Sequence, residues 1–443
     1  MKKETNKNSG KKMNCAAIRQ LNEALLAFIQ NSPCCFQAAE TLRQELLEKG
    51  FQELSEGERW ELSAGDYFVM RNHSALIAFT IPEGGIAAKD GARIAASHSD
   101  SPSFKIKEHP EMAVEDHYVT LNVERYGGMI CAPWFDRPLS VAGRVFVKDK
   151  RMKSGIREVL VDLKKDALLI PNVAIHMNRK VNEGYAYNAQ VDMLPLFALG
   201  KTEGRFMDMI AGAAGVKTGQ ILGHDLFLYN RTGGSIWGLG DEFVSAPRLD
   251  DLQCAFGTMQ GFLAGKRSRH LSLCCVFDNE EVGSGTRQGA GSTFLYDTLK
   301  RITAGSGWDH EEYLVMLHNS FMVSADNAHA VHPNHRELTD PTNRPYIGGG
   351  VVIKFNAQQK YCTDGYSAAF FKGICDKAQV PYQSFANRSD MLGGSTLGNI
   401  SNTKVAIDSV DIGLPQLAMH SPYETAGTAD TAALVSVMTE FYE

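Results

Sequence analysis

Two amphipathic helices are predicted at the start of the chain, and several strands follow them. Apolar residues recur at helical spacing over residues 16–30, which predicts the first helix. A second helix, with Leu42, Leu46 and Leu47 on one face, should end near Gly50, because glycine is common just past helix C-termini. Short apolar runs then predict strands over residues 67–71, 75–81 and 92–96.

A long apolar run later in the chain predicts the centre of the fold. Residues 271–277 are largely apolar and end at Asp278, as in a strand that is buried on both faces. Helical patterns cover residues 252–263 and about 430–442. Open α/β sheets place their binding sites at the carboxyl ends of such central strands. The pattern therefore predicts an α/β fold whose site residues follow the strands.

The pattern changes between residues 103 and 235. Short alternating segments at 118–123, 141–147 and 158–163 are separated by turn residues, which is typical of β-structure. The helical and doubly buried pattern resumes near residue 238. We therefore predict a discontinuous catalytic domain of residues 1–102 and 236–443, interrupted by a β-rich inserted domain of residues 103–235.

Composition narrows the class of protein. A chain of 443 residues with 44% hydrophobic and 22% charged residues is typical of a soluble globular protein with a large core. The net charge of −6 argues against nucleic-acid binding, and no apolar run is long enough for a membrane span. The nine cysteines form no CxxC motif, so we expect reduced thiols in the cytoplasm. The lysine-rich first fourteen residues are expected to be disordered, without a signal peptide.

Five short segments contain residues that suit divalent metal ions. They are SHSD (97–100), PRLDD (247–251), DNEEVGS (278–284), SADN (324–327) and MHSP (419–422). Together they offer two imidazoles, several carboxylates and an adjacent Glu-Glu pair. A site in which one carboxylate bridges two zinc-like ions needs this mixture of ligands. No single segment is specific, but the five together predict a two-metal site.

The first two segments each have a structural alternative. We assign His98 as a metal ligand and Asp100 as the acceptor of its other ring N–H, which would fix the tautomer. The alternative is a hydrogen-bonded pair at a strand end. Asp250 is the candidate bridging ligand, because a short carboxylate on a rigid turn can reach two cations. One of Asp250 and Asp251 could instead be a helix N-cap, and we assign that role to Asp251.

The adjacent acids Glu280 and Glu281 are the most specific element. Two neighbouring carboxylates repel each other unless a cation lies between them. We assign Glu281 as a ligand and Glu280 as the general base, with a solvated acidic turn as the alternative. Asp326 and His420, each after an apolar stretch, complete the ligand set, although either one alone would more often be an ordinary hydrogen-bonded residue.

A histidine-rich run after Asp326 offers another interpretation. His329, His332 and His335 are three residues apart and could be taken for a mononuclear zinc site. Pro333 prevents them from lying on one helical face. We place them in the wall of the site and assign His332 to substrate binding.

These segments resemble the aspartyl aminopeptidases of the M18 metallopeptidase family, in its bacterial branch. The resemblance extends over nearly the whole chain and implies a mixed sheet flanked by helices, of the two-metal exopeptidase type, with an inserted dimerisation domain. It also implies assembly into a tetrahedral dodecamer. The matching stretches are SHSDSP (97–102), YGG and PWFDRPLSVAGRV (126–145), IPNVAIHMNRKVN (170–182), PRLDDL (247–252), DNEEVGS (278–284), SADNAHAVHPN (324–334), VIKFN (352–356), GGSTLG (393–398) and MHSPYE (419–424).

The resemblance further implies the roles of individual residues. Glu280 would be the base, and His176 of the inserted domain would stabilise the oxyanion in a neighbouring subunit's site. Lys354 would meet an acidic substrate side chain. Asp251 departs from the family pattern, because family members commonly have a neutral residue, often asparagine, after the bridging aspartate. The aspartate in this chain adds a negative charge near the site. The resemblance implies two divalent cations, zinc or alternatively cobalt or manganese. Their ligands would be His98, Asp250, Glu281, Asp326 and His420, with Asp250 shared by both ions.

We therefore expect a metal-dependent aminopeptidase that releases N-terminal residues, preferentially Asp or Glu, from peptides through a metal-bridging water. One rival is another two-metal amide hydrolase, either a carboxypeptidase or an N-acyl amino-acid hydrolase. The inserted segment with His176 argues against it. A second rival is a catalytically silent metal-binding assembly protein. Glu280 argues against that, because a purely structural site needs no base.

Overall fold

The computed structural model describes residues 14–443. The expectation of disorder for residues 1–13 lies outside this range. The same expectation for Asn14 is wrong, because its side chain accepts the Ala17 N–H and caps the first helix. The helices of the described range are α1 Cys15–Asn31, α2 Cys35–Glu48, α3 Arg205–Ala213, α4 Leu249–Ala264, α5 Phe294–Gly305, α6 His310–His318, α7 Gly365–Ala378, α8 Leu397–Ser401 and α9 Thr428–Phe441.

Within residues 14–443, twenty strands accompany the helices and form three sheets. The first half of the chain contains β1 Gln52–Leu54, β2 Gly65–Arg71, β3 Ala75–Ile81, β4 Ala92–His98, β5 Ser103–Val114, β6 Tyr118–Tyr126, β7 Leu139–Lys148, β8 Ile156–Asp162, β9 Leu196–Leu199 and β10 Ile221–Asn230. The second half contains β11 Ser235–Trp237, β12 Phe243–Ala246, β13 Leu271–Phe277, β14 Phe321–Ala325, β15 Ala328–His329, β16 Val351–Phe355, β17 Tyr382–Ala386, β18 Asp408–Gly413, β19 Pro415–Leu417 and β20 Glu424–Gly427.

The largest sheet has nine strands in the order β1-β2-β3-β13-β4-β14-β18-β16-β17. It is mixed, since β13, β4, β14 and β18 run parallel, whereas β3 is antiparallel to both of its neighbours and β16 is antiparallel to β18. One face packs on α1, α2, α4, α7 and α9, and the other packs on α5, α6 and α8. The predicted α/β class with a mixed sheet flanked by helices is confirmed.

Strand β13 shows why the central strands have continuous apolar sequences. All seven of its residues are buried. Cys274 and Val276 belong to the core on one face, and Leu273, Cys275 and Phe277 belong to the core on the other. Both faces must be apolar, because helices cover each of them.

Six strands between residues 103 and 230 form a sheet of their own, in the order β8-β7-β10-β5-β6-β9. With α3 they enclose a separate core that includes Phe104, Val141, Phe206 and Leu226. The third sheet has five short strands in the order β11-β12-β20-β19-β15, and it borders the nine-stranded sheet through the loops that carry the site. No helix in residues 14–443 combines the length and apolar character that crossing a membrane requires.

Candidate metal centre

The carboxyl ends of three adjacent parallel strands bring the first site residues together. His98 is the last residue of β4, and its register partner on β13 is Phe277. The turn with Glu280 and Glu281 follows β13, and Asp326 follows β14 on the other side of β4. Parallel strands end at one edge of a sheet, so these side chains converge there.

His98, Asp250, Asp251 and Asp326 form one cluster, in which the candidate ligand atoms all lie within 4.8 Å of one another. The Nε2 atom of His98 lies 3.6 Å from Oδ1 of Asp250 and 3.9 Å from Oδ2 of Asp251. All four residues are buried. Two ligand atoms about 2.0–2.1 Å from a shared tetrahedral zinc ion would lie about 3.3 Å apart, so these spacings are close to those of a zinc site.

A second cluster shares Asp250 with the first. Nε2 of His420 lies 3.4 Å from Oδ2 of Asp250 and 3.3 Å from Oε2 of Glu281. The two oxygens of Asp250 thus face different histidines, with His98 beside Oδ1 and His420 beside Oδ2. A carboxylate that bridges two cations must present its oxygens in this way.

The electrostatics of both clusters fit divalent cations. Asp250 Oδ1, Asp251 Oδ1 and Glu281 Oε1 are buried and accept no hydrogen bond from the residues that the structure describes. Such oxygens are costly to bury unless a positive charge compensates them. Burial and the neighbouring carboxylates raise the pKa values of Glu281 and Asp326, because several negative charges share one apolar edge. The donor set of imidazoles and carboxylates suits zinc and similar ions.

Glu280 lies beside the clusters and has a different environment from Glu281. One carboxylate oxygen of Glu280 lies within 4.8 Å of candidate ligand atoms of His98 and Glu281. Burial raises its pKa to about 8, although His98 opposes this shift. A carboxylate of raised pKa next to the reacting centre is what a general base near neutral pH requires.

Asp100 supports more of the site than the sequence predicts. Its main-chain oxygen lies 3.0 Å from His98 Nδ1, and its carboxylate oxygen Oδ1 lies 3.3 Å away. That carboxylate also accepts hydrogen bonds from the backbone N–H groups of Glu280 and Glu281 and from the Tyr126 hydroxyl. Asp100 therefore directs Nε2 of His98 towards Asp250 and fixes the Glu-Glu turn at the same time.

The assignment of Asp251 as a helix N-cap is wrong. Helix α4 begins at Leu249, and neither carboxylate oxygen of Asp251 accepts a backbone N–H of this helix in the described range. Asp251 is completely buried, and its Oδ2 accepts the backbone N–H of His98 across 3.1 Å. The side chain therefore faces the first cluster, and burial raises its pKa.

Glu424 is a site residue that the sequence analysis overlooked. It is buried, and its two oxygens accept the backbone N–H groups of Asp250, at 3.0 Å, and His420, at 2.7 Å. It thereby ties the shared carboxylate to the loop between β19 and β20. The signal was an acid at the end of the MHSPYE segment, but bonds to backbone groups leave no pattern in the sequence.

The three remaining predicted residues have different surroundings. Lys354 lies on β16, is only 3% exposed, and places Nζ 3.4 Å from Oδ1 of Asp326. His332 is exposed, and its Nδ1 accepts the backbone N–H of Asn334. His176 is exposed in a turn of the inserted segment, and within residues 14–443 no hydrogen bond or ion pair links it to the clusters. Roles for these three residues stay predictions, as do the ligand assignments.

Comparisons with known proteins agree with this geometry. The family model for the aminopeptidase I zinc metalloprotease (M18) matches residues 28–442. A Clostridium acetobutylicum protein named probable M18 family aminopeptidase 2 is 47% identical over 423 residues, which cover 94% of this chain and 97% of the relative.

Two solved structures extend the comparison. The structure of the Ape4 and Nbr1 complex superposes with a TM-score of 0.93 at 32% identity and covers 98% of this chain and 87% of the other. The S. cerevisiae mApe1 dodecamer superposes with a TM-score of 0.84 at 25% identity, with 96% of each chain covered.

Proposed function

The chain belongs to the M18 family of zinc aminopeptidases, which hydrolyse peptides, and we propose that it releases acidic residues, Asp or Glu, from free N-termini. The observation that most supports hydrolysis by a two-metal site is the shared Asp250, with His98 beside one oxygen and His420 beside the other. Two divalent cations, zinc or in its place cobalt or manganese, would polarise the scissile carbonyl and lower the pKa of the attacking water.

In this proposal each ion has its own histidine. His98 and Asp326 would hold one ion, Glu281 and His420 would hold the other, and Asp250 would contact both. Their clustering within 4.8 Å and their unpaired buried oxygens support the assignment. Asp100 and Glu424 would hold these ligands in place through the hydrogen bonds described above.

Glu280 is the proposed general base. Its carboxylate would accept a proton from the attacking water and deliver it to the leaving amine. Its place next to Glu281, and outside both clusters that contain Asp250, supports this role. Burial raises the pKa of Glu280 to about 8, which is compatible with proton transfer near neutral pH, although burial raises the pKa of the proposed ligand Glu281 as well.

Lys354 is the proposed reader of the acidic substrate side chain, with His332 in the wall of the substrate site. A buried ammonium is a strong point charge for a carboxylate, and Lys354 is the buried cation beside Asp326. Tyr361, whose ring centre lies 5.5 Å from Nζ, would confine the side chain that reaches it.

We further propose that residues 103–235 form a dimerisation domain, through which His176 of one subunit enters the site of another and stabilises the oxyanion. The exposed apolar residues around His176 support this, since Val173 is 53% exposed and Met177 is 83% exposed. The relative from S. cerevisiae is described as a dodecamer, and we propose a tetrahedral dodecamer here as well. The nine free cysteines, all in the described range, favour the cytoplasm.

A panel of peptides tests the reaction class. Purified protein, loaded with zinc, cobalt or manganese, is incubated with peptides that begin with Asp, Glu, Ala or Leu and with their N-acetylated counterparts. We expect release of the first residue from free peptides only. Cleavage of the acetylated set would indicate an N-acyl hydrolase, release from the C-terminus a carboxypeptidase, and no cleavage a silent protein.

A further inference from the structure

Asp251 has a buried carboxyl group that hydrogen bonds from the described residues satisfy only in part. Its side chain is completely buried, and only Oδ2 has a partner, the backbone N–H of His98. The other oxygen, Oδ1, accepts no hydrogen bond from the residues of the described range. An unpaired buried carboxylate oxygen is strongly unfavourable, so a compensating positive charge is to be expected nearby.

The surroundings of Asp251 indicate where that charge belongs. Asp251 lies in one cluster with His98, Asp250 and Asp326, and its Oδ2 is 3.9 Å from Nε2 of His98. The cluster has three carboxylates, and Lys354 forms an ion pair only with Asp326. The second cluster, around His420, has two carboxylates. Once the ammonium of Lys354 is counted against the three carboxylates, the His98 cluster has the same negative excess as the His420 cluster, and without Asp251 it would have less.

We propose that Asp251 is a charge-supplying residue of the metal site, which strengthens binding of the cation that His98 and Asp326 hold. This inference rests on the proposed two-metal function. A third carboxylate also makes this cluster richer in oxygen than the other, which favours tight binding of zinc, manganese or cobalt at this position. The hydrogen bond from the His98 N–H holds the Asp251 carboxylate in place. Asp251 therefore both fixes the backbone of the metal ligand His98 and supplies negative charge beside it.

The Asp251→Asn variant separates the charge from the hydrogen bond. An asparagine has the same shape and still accepts the His98 N–H through its side-chain oxygen, so a purely structural role predicts unchanged metal binding. Metal-free protein is titrated with Zn²⁺ or Co²⁺ against a chromophoric chelator. We expect the dissociation constant of one ion to rise at least about tenfold, and that of the other to stay within about twofold. An equal weakening of the binding of both ions would show a general effect of net charge and overturn the inference.

The outcomes distinguish this inference from the proposed function. If the unchanged protein binds no cation, the two-metal function itself fails. If it binds two ions and Asp251→Asn binds both with unchanged affinity, only the role of Asp251 is wrong. Circular dichroism checks folding. If Asp251→Asn does not fold, Asp251→Glu is tested in its place, because it keeps the negative charge but shifts its position. The inference then requires that the affinity for one ion changes and that the affinity for the other does not.

Discussion

Replacing Lys354 by Met should reduce hydrolysis after acidic residues much more than hydrolysis after neutral ones. Met keeps most of the length and apolar character of the side chain but removes the ammonium. Lys354 is 3% exposed, so water does little to screen its charge. A substrate carboxylate that pairs with this ammonium would lose a partner that is shielded from water.

The magnitude follows from the contacts of Lys354. Its Nζ lies 3.4 Å from Asp326 Oδ1, where two unit charges at an effective dielectric constant of about 20 interact with about 5 kcal/mol. Removing one partner of a desolvated pair costs about 2–5 kcal/mol. Asp326 already engages the same ammonium, so we expect the lower end of this range. The value of kcat/KM for Asp or Glu substrates should fall at least about tenfold.

The assay compares initial rates on Asp, Glu, Ala and Leu anilides for the variant and the unchanged protein. Metal content is measured alongside, and it should not fall, because removing a positive charge beside Asp326 favours a bound cation. Lys377→Met is the matched control, because Lys377 is exposed on α7 and its replacement changes the net charge by the same amount. Equal losses on acidic and neutral substrates would show that Lys354 supports Asp326 and does not read the substrate.

Two further variants test other parts of the site. Asp250→Asn should weaken both metals together, because a neutral amide is a poor bridge between two cations; full retention of both ions in metal analysis would refute the shared role. His176→Ala should lose turnover but keep its metal. Mixing it with Glu280→Gln should restore some activity, since some sites then combine an intact Glu280 with an intact His176 of another subunit. No recovery despite demonstrated subunit exchange would rule out action between subunits.

The sequence predicted the central elements of the fold because burial on both faces leaves an unambiguous pattern. Strands β3 and β13 occupy the predicted residues 75–81 and 271–277. Helix α2 ends at Glu48, two residues before the predicted Gly50, whose φ of +87° is the left-handed conformation expected there. Local residue preferences and the buried pattern agree in these elements.

The candidate site was predictable where the side chain itself carries the chemistry. His98, Asp250, Glu281, Asp326 and His420 come together as the five segments suggested. The role of Asp251 was misjudged, because an acid before a helical stretch is compatible with an N-cap, and the backbone turn that buries it cannot be read from residue types. Glu424 was overlooked because it acts on backbone N–H groups. The proposed entry of His176 into a neighbouring subunit's site would involve a second chain.

The most direct test of the account is the Glu280→Gln variant, with turnover and bound metal measured on the same preparation. Gln has the shape of Glu but cannot accept a proton from the attacking water. We predict that hydrolysis of free-amine peptides is abolished while two metal ions per chain remain bound, as in the unchanged protein. Loss of about half the bound metal would contradict it, because Glu280 would then be a ligand and Glu281 the base.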